Sequence, residues 1–132
     1  MIYDNGNYNE PQVSRAVEYA LDPEAMTATR VWQFVHPENI YAPSMGGAQR
    51  LSNGNTLINW GNIPNDDYGA RVTEVDANGN IVLEFVVDEP FSAYRAHKFD
   101  WFFDSSVVGC GDPNALNYDA TASVGDSTLC TY

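Results

Sequence analysis

Apolar and polar positions alternate along this chain in short runs with a period of two, and no stretch keeps the 3.6-residue repeat of a long amphipathic helix. The pattern predicts an all-β chain. Seven strands are expected, over residues 13–20, 29–35, 47–51, 55–60, 70–76, 81–87 and 91–99, each rich in Val, Ile, Thr, Phe, Tyr or Trp. One segment departs from the pattern. Asp22-Pro23-Glu24-Ala25-Met26 offers an Asp able to cap, Pro at the first helical position and an acidic first turn, which predicts a single helical turn between the first two strands.

Asn53-Gly54 and Asn78-Gly79 each sit between apolar strand-like runs, and this dipeptide supplies the positive φ angles that tight hairpin turns demand. Both lie in a strand, Asn-Gly-Asn, strand layout, so residues 47–87 read as one four-stranded antiparallel meander. Its length matches the roughly 40 to 50 residues of a propeller blade. Strands 13–20 and 29–35 would then be the outer half of the preceding blade, and 91–99 the first strand of another. A blade has two apolar faces and needs neighbours on both, so about three or more repeats are usually required for stability. The expectation is therefore either a part of a longer propeller, completed by other blades, or copies of the chain that cover each other's strand edges and faces. A seven-stranded sandwich that folds alone is the alternative.

Composition narrows the function classes. With 132 residues, 44% hydrophobic and 13% aromatic, the chain has enough apolar surface to pack. Eighteen acidic residues against six Lys and Arg give a formal charge of -12, which repels nucleic acid and anionic membranes and excludes a nucleic-acid partner. No apolar run reaches the roughly 18 to 20 residues of a membrane span. The N-terminus lacks the basic and apolar regions of a signal peptide, so Met1 reads as a cut point. The only two cysteines, Cys110 and Cys130, lie together in an acidic tail, which favours a disulfide and a secreted or cell-surface location. After Trp101 the composition shifts to Gly, Asp, Asn, Ala, Ser and Thr, which divides the chain into a β part at 1–103, a linker at 104–108 and a disulfide-closed, turn-rich module at 109–132. There is no Gly-rich phosphate loop, zinc spacing or glycosylation sequon.

Several segments carry a family resemblance. Tyr3-Asp4-Asn5-Gly6-Asn7, Ser14-Arg15-Ala16-Val17-Glu18-Tyr19, Met26-Thr27-Ala28 and Val31-Trp32 resemble the arylsulfotransferase family of secreted β-propellers. So do Tyr41-Ala42-Pro43-Ser44-Met45-Gly46-Gly47-Ala48-Gln49-Arg50-Leu51-Ser52-Asn53-Gly54-Asn55-Thr56-Leu57-Ile58, then Trp60-Gly61, and Tyr94-Arg95-Ala96 with Phe99 and Trp101. The resemblance implies a six-bladed propeller that moves a sulfuryl group from an aryl sulfate to a phenol through a histidine. In the family pattern that His lies in a His-Asp pair one strand upstream of Asp-Asn-Gly-Asn. Here this stretch begins at Asp4, so the chain by itself is expected to lack the nucleophile and to be inactive. The tail from Gly109 to Tyr132 resembles short Cys-bounded repeats found near the ends of secreted bacterial proteins, which usually close with Asp-Asp-Gly-Ser-Cys. This one closes with Gly125-Asp126-Ser127-Thr128-Leu129-Cys130.

A histidine attacking sulfur needs a neutral imidazole, an orienting partner and cationic or amide groups around the developing charge. The candidates are His36, a loop histidine at a strand end, and His97, which alternates with Arg95 and could line a channel with it or form an ordinary surface pair. Trp32 and Trp60 are expected in the core, and Trp101-Phe102-Phe103 forms either an adhesive patch or a closing contact. Asp112, Asn114, Asn117, Asp119 and Asp126 supply hard oxygen ligands suited to Ca²⁺, or else make turns and caps. Three roles follow: a structural or attachment part of an arylsulfotransferase-like propeller, a self-assembling extracellular protein, or a sulfuryl-transfer enzyme completed by other chains.

Overall fold

A computed structural model describes residues 1–64, 68–99 and 107–132. The chain separates into two compact units, Met1–Lys98 and Phe99–Tyr132. Among the described residues the first holds seven strands in two antiparallel sheets. Strands β1 (Ile2–Asp4), β2 (Arg15–Asp22) and β3 (Thr27–Phe34) form a three-stranded sheet in that order. Strands β4 (Gly47–Arg50), β5 (Thr56–Trp60), β6 (Tyr68–Val75) and β7 (Ile81–Asp88) form a four-stranded meander. Among the described residues no helix is long and apolar enough to cross a membrane.

The meander follows the alternation in the sequence. Both Asn-Gly hairpins close in the same way: the Leu51 carbonyl accepts from Gly54 N–H and the Asp76 carbonyl from Gly79 N–H, with the two glycines at φ 87° and 84°. These are three-residue loops in which glycine takes the left-handed position without a Cβ clash.

Three expectations change. Residues 91–99 form no strand, because no neighbouring strand supplies a ladder. Their bonds go instead to the ends of the meander: Ala93 N–H donates to Gly61 O (2.8 Å), Tyr94 O accepts from Gly46 N–H (3.3 Å), and Gln49 both donates to and accepts from the Lys98 backbone. The 22–26 segment is the turn of the β2–β3 hairpin, not a helical one. Asp22 Oδ1 does accept from Glu24 and Ala25 N–H, but Met26 at φ 53° turns the chain back into β3. β1 was not expected, since three residues carry no readable alternation; it pairs Tyr3 with Ala16 across from Phe34, making the first sheet three-stranded.

The core lies between the two sheets. Ala16 and Phe34 meet Ile58, Trp60 and Val75, with Ile40, Ala42 and Ile63 from the connections. Trp60 is fully buried and packs edge-on against Tyr3, with ring centroids 5.8 Å apart. Burial of side chains of this size contributes about 1.5–3 kcal/mol each. β5 is buried along its whole length, whereas β7 leaves Ile81, Val82, Leu83, Phe85 and Val86 exposed. Trp32 is half-buried, with the Arg50 guanidinium 4.8 Å from its ring centre and bonded onward to Glu18 (2.5 Å).

The second unit has almost no apolar core: Cys110 and Ala115 are its buried hydrophobic residues among those described. Cys110 and Cys130 form the disulfide. Two short strands, β8 (Val108–Gly109) and β9 (Val124–Gly125), pair in parallel, a contact too short to read from the sequence. Asp112, Asp119 and Asp126 recur at seven-residue spacing, and each Oδ1 accepts from the N–H two residues on, at Asn114, Thr121 and Thr128. Trp101-Phe102-Phe103 and the first part of the 104–108 linker lie outside the described residues.

Candidate functional site

The most concentrated polar chemistry in the first unit is a network between the two sheets, in which His36, Arg71 and Thr73 are buried and the Glu38 and Glu84 carboxylates reach solvent. His36, just past the end of β3, is 2% exposed. Its Nδ1 accepts from Glu38 N–H (3.2 Å), which leaves the proton on Nε2, and Nε2 donates to Glu84 Oε2 on β7 (3.0 Å). Thr73 Oγ1 on β6 also donates to Glu84 Oε2 (2.9 Å) and accepts from Trp60 Nε1 (3.0 Å). The buried Arg71 guanidinium sits 2.8 Å from Glu38 Oε2 and 3.6 Å from Glu84 Oε1. The Arg71 hydrogen bond holds the Glu38 carboxyl below its usual range. Strand alternation explains the grouping. Trp60 pairs with Arg71, Arg71 with Val86 and Thr73 with Glu84, so these side chains emerge on the face toward the first sheet.

This geometry decides what His36 can do. A histidine nucleophile needs an exposed ring nitrogen with a free lone pair. Here both ring nitrogens are engaged and the ring is packed edge-on against Phe34 and Trp60. The ring therefore ties the end of β3 to β7, and neither ring nitrogen is left with a free lone pair in this structure. His36 stands at a strand end as expected, but it is a buried residue with two polar partners, Glu84 and the Glu38 N–H. The readable signal is in β6, where Arg71 and Thr73 share one face with Val75, and Glu74 stands on the other with Ala70 and Val72.

Three of the segments that carry the family resemblance meet at a second cluster, where the β1–β2 connection meets residues 41–45. Asp4 Oδ2 lies 2.9 Å from Arg15 Nε, and Asp4 Oδ1 accepts from Gly6 N–H. Burial pushes the Asp4 carboxyl up, but the Gly6 amide and Arg15 outweigh it and hold it below the usual range. Asn5 Nδ2 donates to Ala42 O (2.7 Å) and Met45 O (3.1 Å), and Asn7 Nδ2 donates to Pro43 O (3.1 Å). Ser14 Oγ donates to Asn5 O and accepts from Ala42 N–H, each at 2.8 Å. Gly6, at φ 74°, has no room for a side chain, since a Cβ would stand 1.9 Å from Val13 O. The family model for arylsulfotransferases (ASST) matches residues 1–95, which takes in this cluster, both sheets and the segment after β7.

The chain belongs to the arylsulfotransferase family. No curated protein and no solved structure matches it. In this arylsulfotransferase-family chain the Asn5 and Asn7 amides of the Asp-Asn-Gly-Asn stretch hold residues 42–45 of the segment that joins the two sheets, and the Asp4 carboxylate holds Gly6 and Arg15.

The remaining predicted site residues are dispersed. Arg95 and His97 lie in the irregular segment after β7, both exposed, with the Arg95 guanidinium 5.3 Å from the Tyr94 ring centre. Next to them, Lys98 Nζ reaches the buried Glu74 carboxylate (2.6 Å), which Asn55 Nδ2 also bonds (2.7 Å), and these bonds hold Glu74 below the usual range. In the tail, Asp112 Oδ2 accepts from Tyr132 OH (2.7 Å), and Asp119 and Asp126 each accept from a Thr hydroxyl as well as an amide. Asn114 Nδ2 donates to Asp112, and Asn117 donates to Leu129 O and accepts from Thr131 N–H. Bonds from Asn114, Thr121 and Thr128 respectively hold all three Asp carboxyls below the usual range. Among the described residues no three His, Cys, Asp or Glu side chains gather closely enough to hold a metal ion.

Proposed function

We propose that this chain supplies one four-stranded blade and part of the neighbouring blade of a secreted arylsulfotransferase-like β-propeller, in a structural or attachment role, and that it does not catalyse sulfuryl transfer by itself. The observation that supports this reading is His36, whose Nε2 is engaged by Glu84 on β7 and whose Nδ1 is engaged by the nearby Glu38 N–H. His97, the other histidine, stands exposed outside any strand. The blade reading is supported by the meander of four strands stacked on a sheet of three, each with an outer face left partly open. The disulfide-closed tail supports an oxidising, extracellular location.

The test is turnover of 4-nitrophenyl sulfate with phenol as acceptor. The expected result is no nitrophenolate release above the blank. Release that disappears in both Arg95→Ala and His97→Ala would overturn the reading in favour of an enzyme completed by other copies of the chain.

For the tail, the turn-making reading is favoured by the seven-residue recurrence of Asp-capped turns. Calcium binding by Asp112, Asn114, Asn117, Asp119 and Asp126 would require these oxygens to leave their turns and converge. Millimolar Ca²⁺ is accordingly expected to leave the amide spectrum of residues 107–132 unchanged. Saturable shifts at several of these five residues would instead establish the metal site.

A further inference from the structure

The face of the meander that points away from the first sheet carries Gln49, Leu57 and Glu74 in one row across β4, β5 and β6, and Gly47, Asn59 and Val72 in the next. After β7 the chain returns to these rows, and residues 93–98 lie against them as a strap. Ala93 N–H donates to Gly61 O and its carbonyl accepts from Asn59 Nδ2, each at 2.8 Å. Tyr94 O accepts from Gly46 N–H. Gln49 brackets Lys98, donating to its carbonyl and accepting from its N–H, and Lys98 Nζ ends the run on Glu74 Oε2 at 2.6 Å. Two glycines make the room. A Cβ on Gly61 would stand 2.7 Å from Ala93 O, and one on Gly69 would stand 1.7 Å from Phe91 O.

These contacts are polar, and the strap puts no large side chain into the core. Phe91 and Tyr94 are 67% and 66% exposed, while Ala93 and Ala96 are only half-buried. A segment held in this way opens at lower cost than the strands beneath it. We propose that this face of the meander is a docking site for an extended, lysine-bearing peptide segment, and that residues 93–98 of the same chain occupy it as a releasable latch. The Gly46 amide, the Gly61 carbonyl and the Asn59 and Gln49 side chains read the peptide backbone, and the Glu74 carboxylate reads the ammonium. Release strands no charge, because the movement that takes Lys98 away also opens Glu74 to water. A partner segment with the same spacing of backbone groups and lysine would compete with the latch for the site. The inference stands on this face alone and is independent of the blade reading.

The test is hydrogen exchange on the intact, oxidised chain, followed by peptide binding. The amides of Gly46, Ala93 and Lys98 are expected to exchange roughly ten-fold or more faster than those of residues 57–60, through an opening that low denaturant barely changes. Lys98→Met removes the ammonium and is expected to strip most of the remaining protection from Gly46 and Ala93, with the β5 amides still the slowest. To that variant a peptide with the sequence of residues 91–98 is expected to bind saturably, and roughly ten-fold or more tighter than to the wild type, whose own strap fills the site. The same peptide with methionine in place of its lysine is expected to bind roughly ten-fold or more weakly. Strap amides that exchange at the same rate as the β5 amides, and with the same denaturant dependence, overturn the latch. A variant that opens but takes no peptide, or takes both peptides equally, overturns the docking site.

Discussion

Replacing Glu84 by alanine is expected to destabilise the first unit by about 2–4 kcal/mol, because it removes the one carboxylate that His36, Thr73 and Arg71 share and leaves those groups with fewer partners. For a unit of this size that corresponds to a fall in melting temperature on the order of 10–20 °C. The measurement is thermal unfolding of the full chain followed by tryptophan fluorescence, which Trp60 reports directly because its indole N–H bonds to Thr73. His36→Ala is expected to cost a similar amount. The double variant should cost clearly less than the sum, with a coupling of about 1–3 kcal/mol, since both changes remove the same contact. Additive losses would show that His36 and Glu84 act separately, and the link between β3 and β7 would then have to be assigned to packing alone.

Removing the disulfide has a different expected signature. Cys110→Ser with Cys130→Ser opens a loop with a sequence separation of 20, which releases about 3 kcal/mol of constraint on the unfolded tail. The second unit buries too few apolar groups to compensate, so it is expected to unfold outright at ambient temperature. The melting of the first unit should remain unchanged. Limited proteolysis separates the two results: rapid cleavage confined to residues after Val107 supports this account, and a tail that resists protease without its disulfide contradicts it.

The strands of the meander could be read from the sequence because each is long enough to show alternation and is bounded by turn chemistry that admits little else. Asn53-Gly54 and Asn78-Gly79 placed both hairpins before any contact was known. β1, β8 and β9 could not be read, since two or three residues show no period and their pairing depends on distant partners. Residues 91–99 carry strand-like composition but no ladder, which shows the limit of propensity: a strand is a relation between two segments. The network around His36 was only half legible. An Arg and a Thr on one face of β6 mark a polar site, but nothing local says that the partner is a histidine 35 residues before Arg71 in the chain. The disulfide was legible because the chain has two cysteines and both fall in one short acidic segment.

The seven-residue recurrence of Asp-capped turns in the tail bears on how this unit arises and travels. Each turn is specified by its own Asp and the residue two positions on, and every hydrogen bond described for residues 107–132 stays within them. The turns themselves need no long-range search, whereas the β8–β9 pairing, the disulfide and the Asp112–Tyr132 bond join residues 16 to 20 positions apart and close the unit around them. A segment whose described bonds all stay within itself places few demands on its neighbour, so its turns would survive a change of the domain to which it is joined.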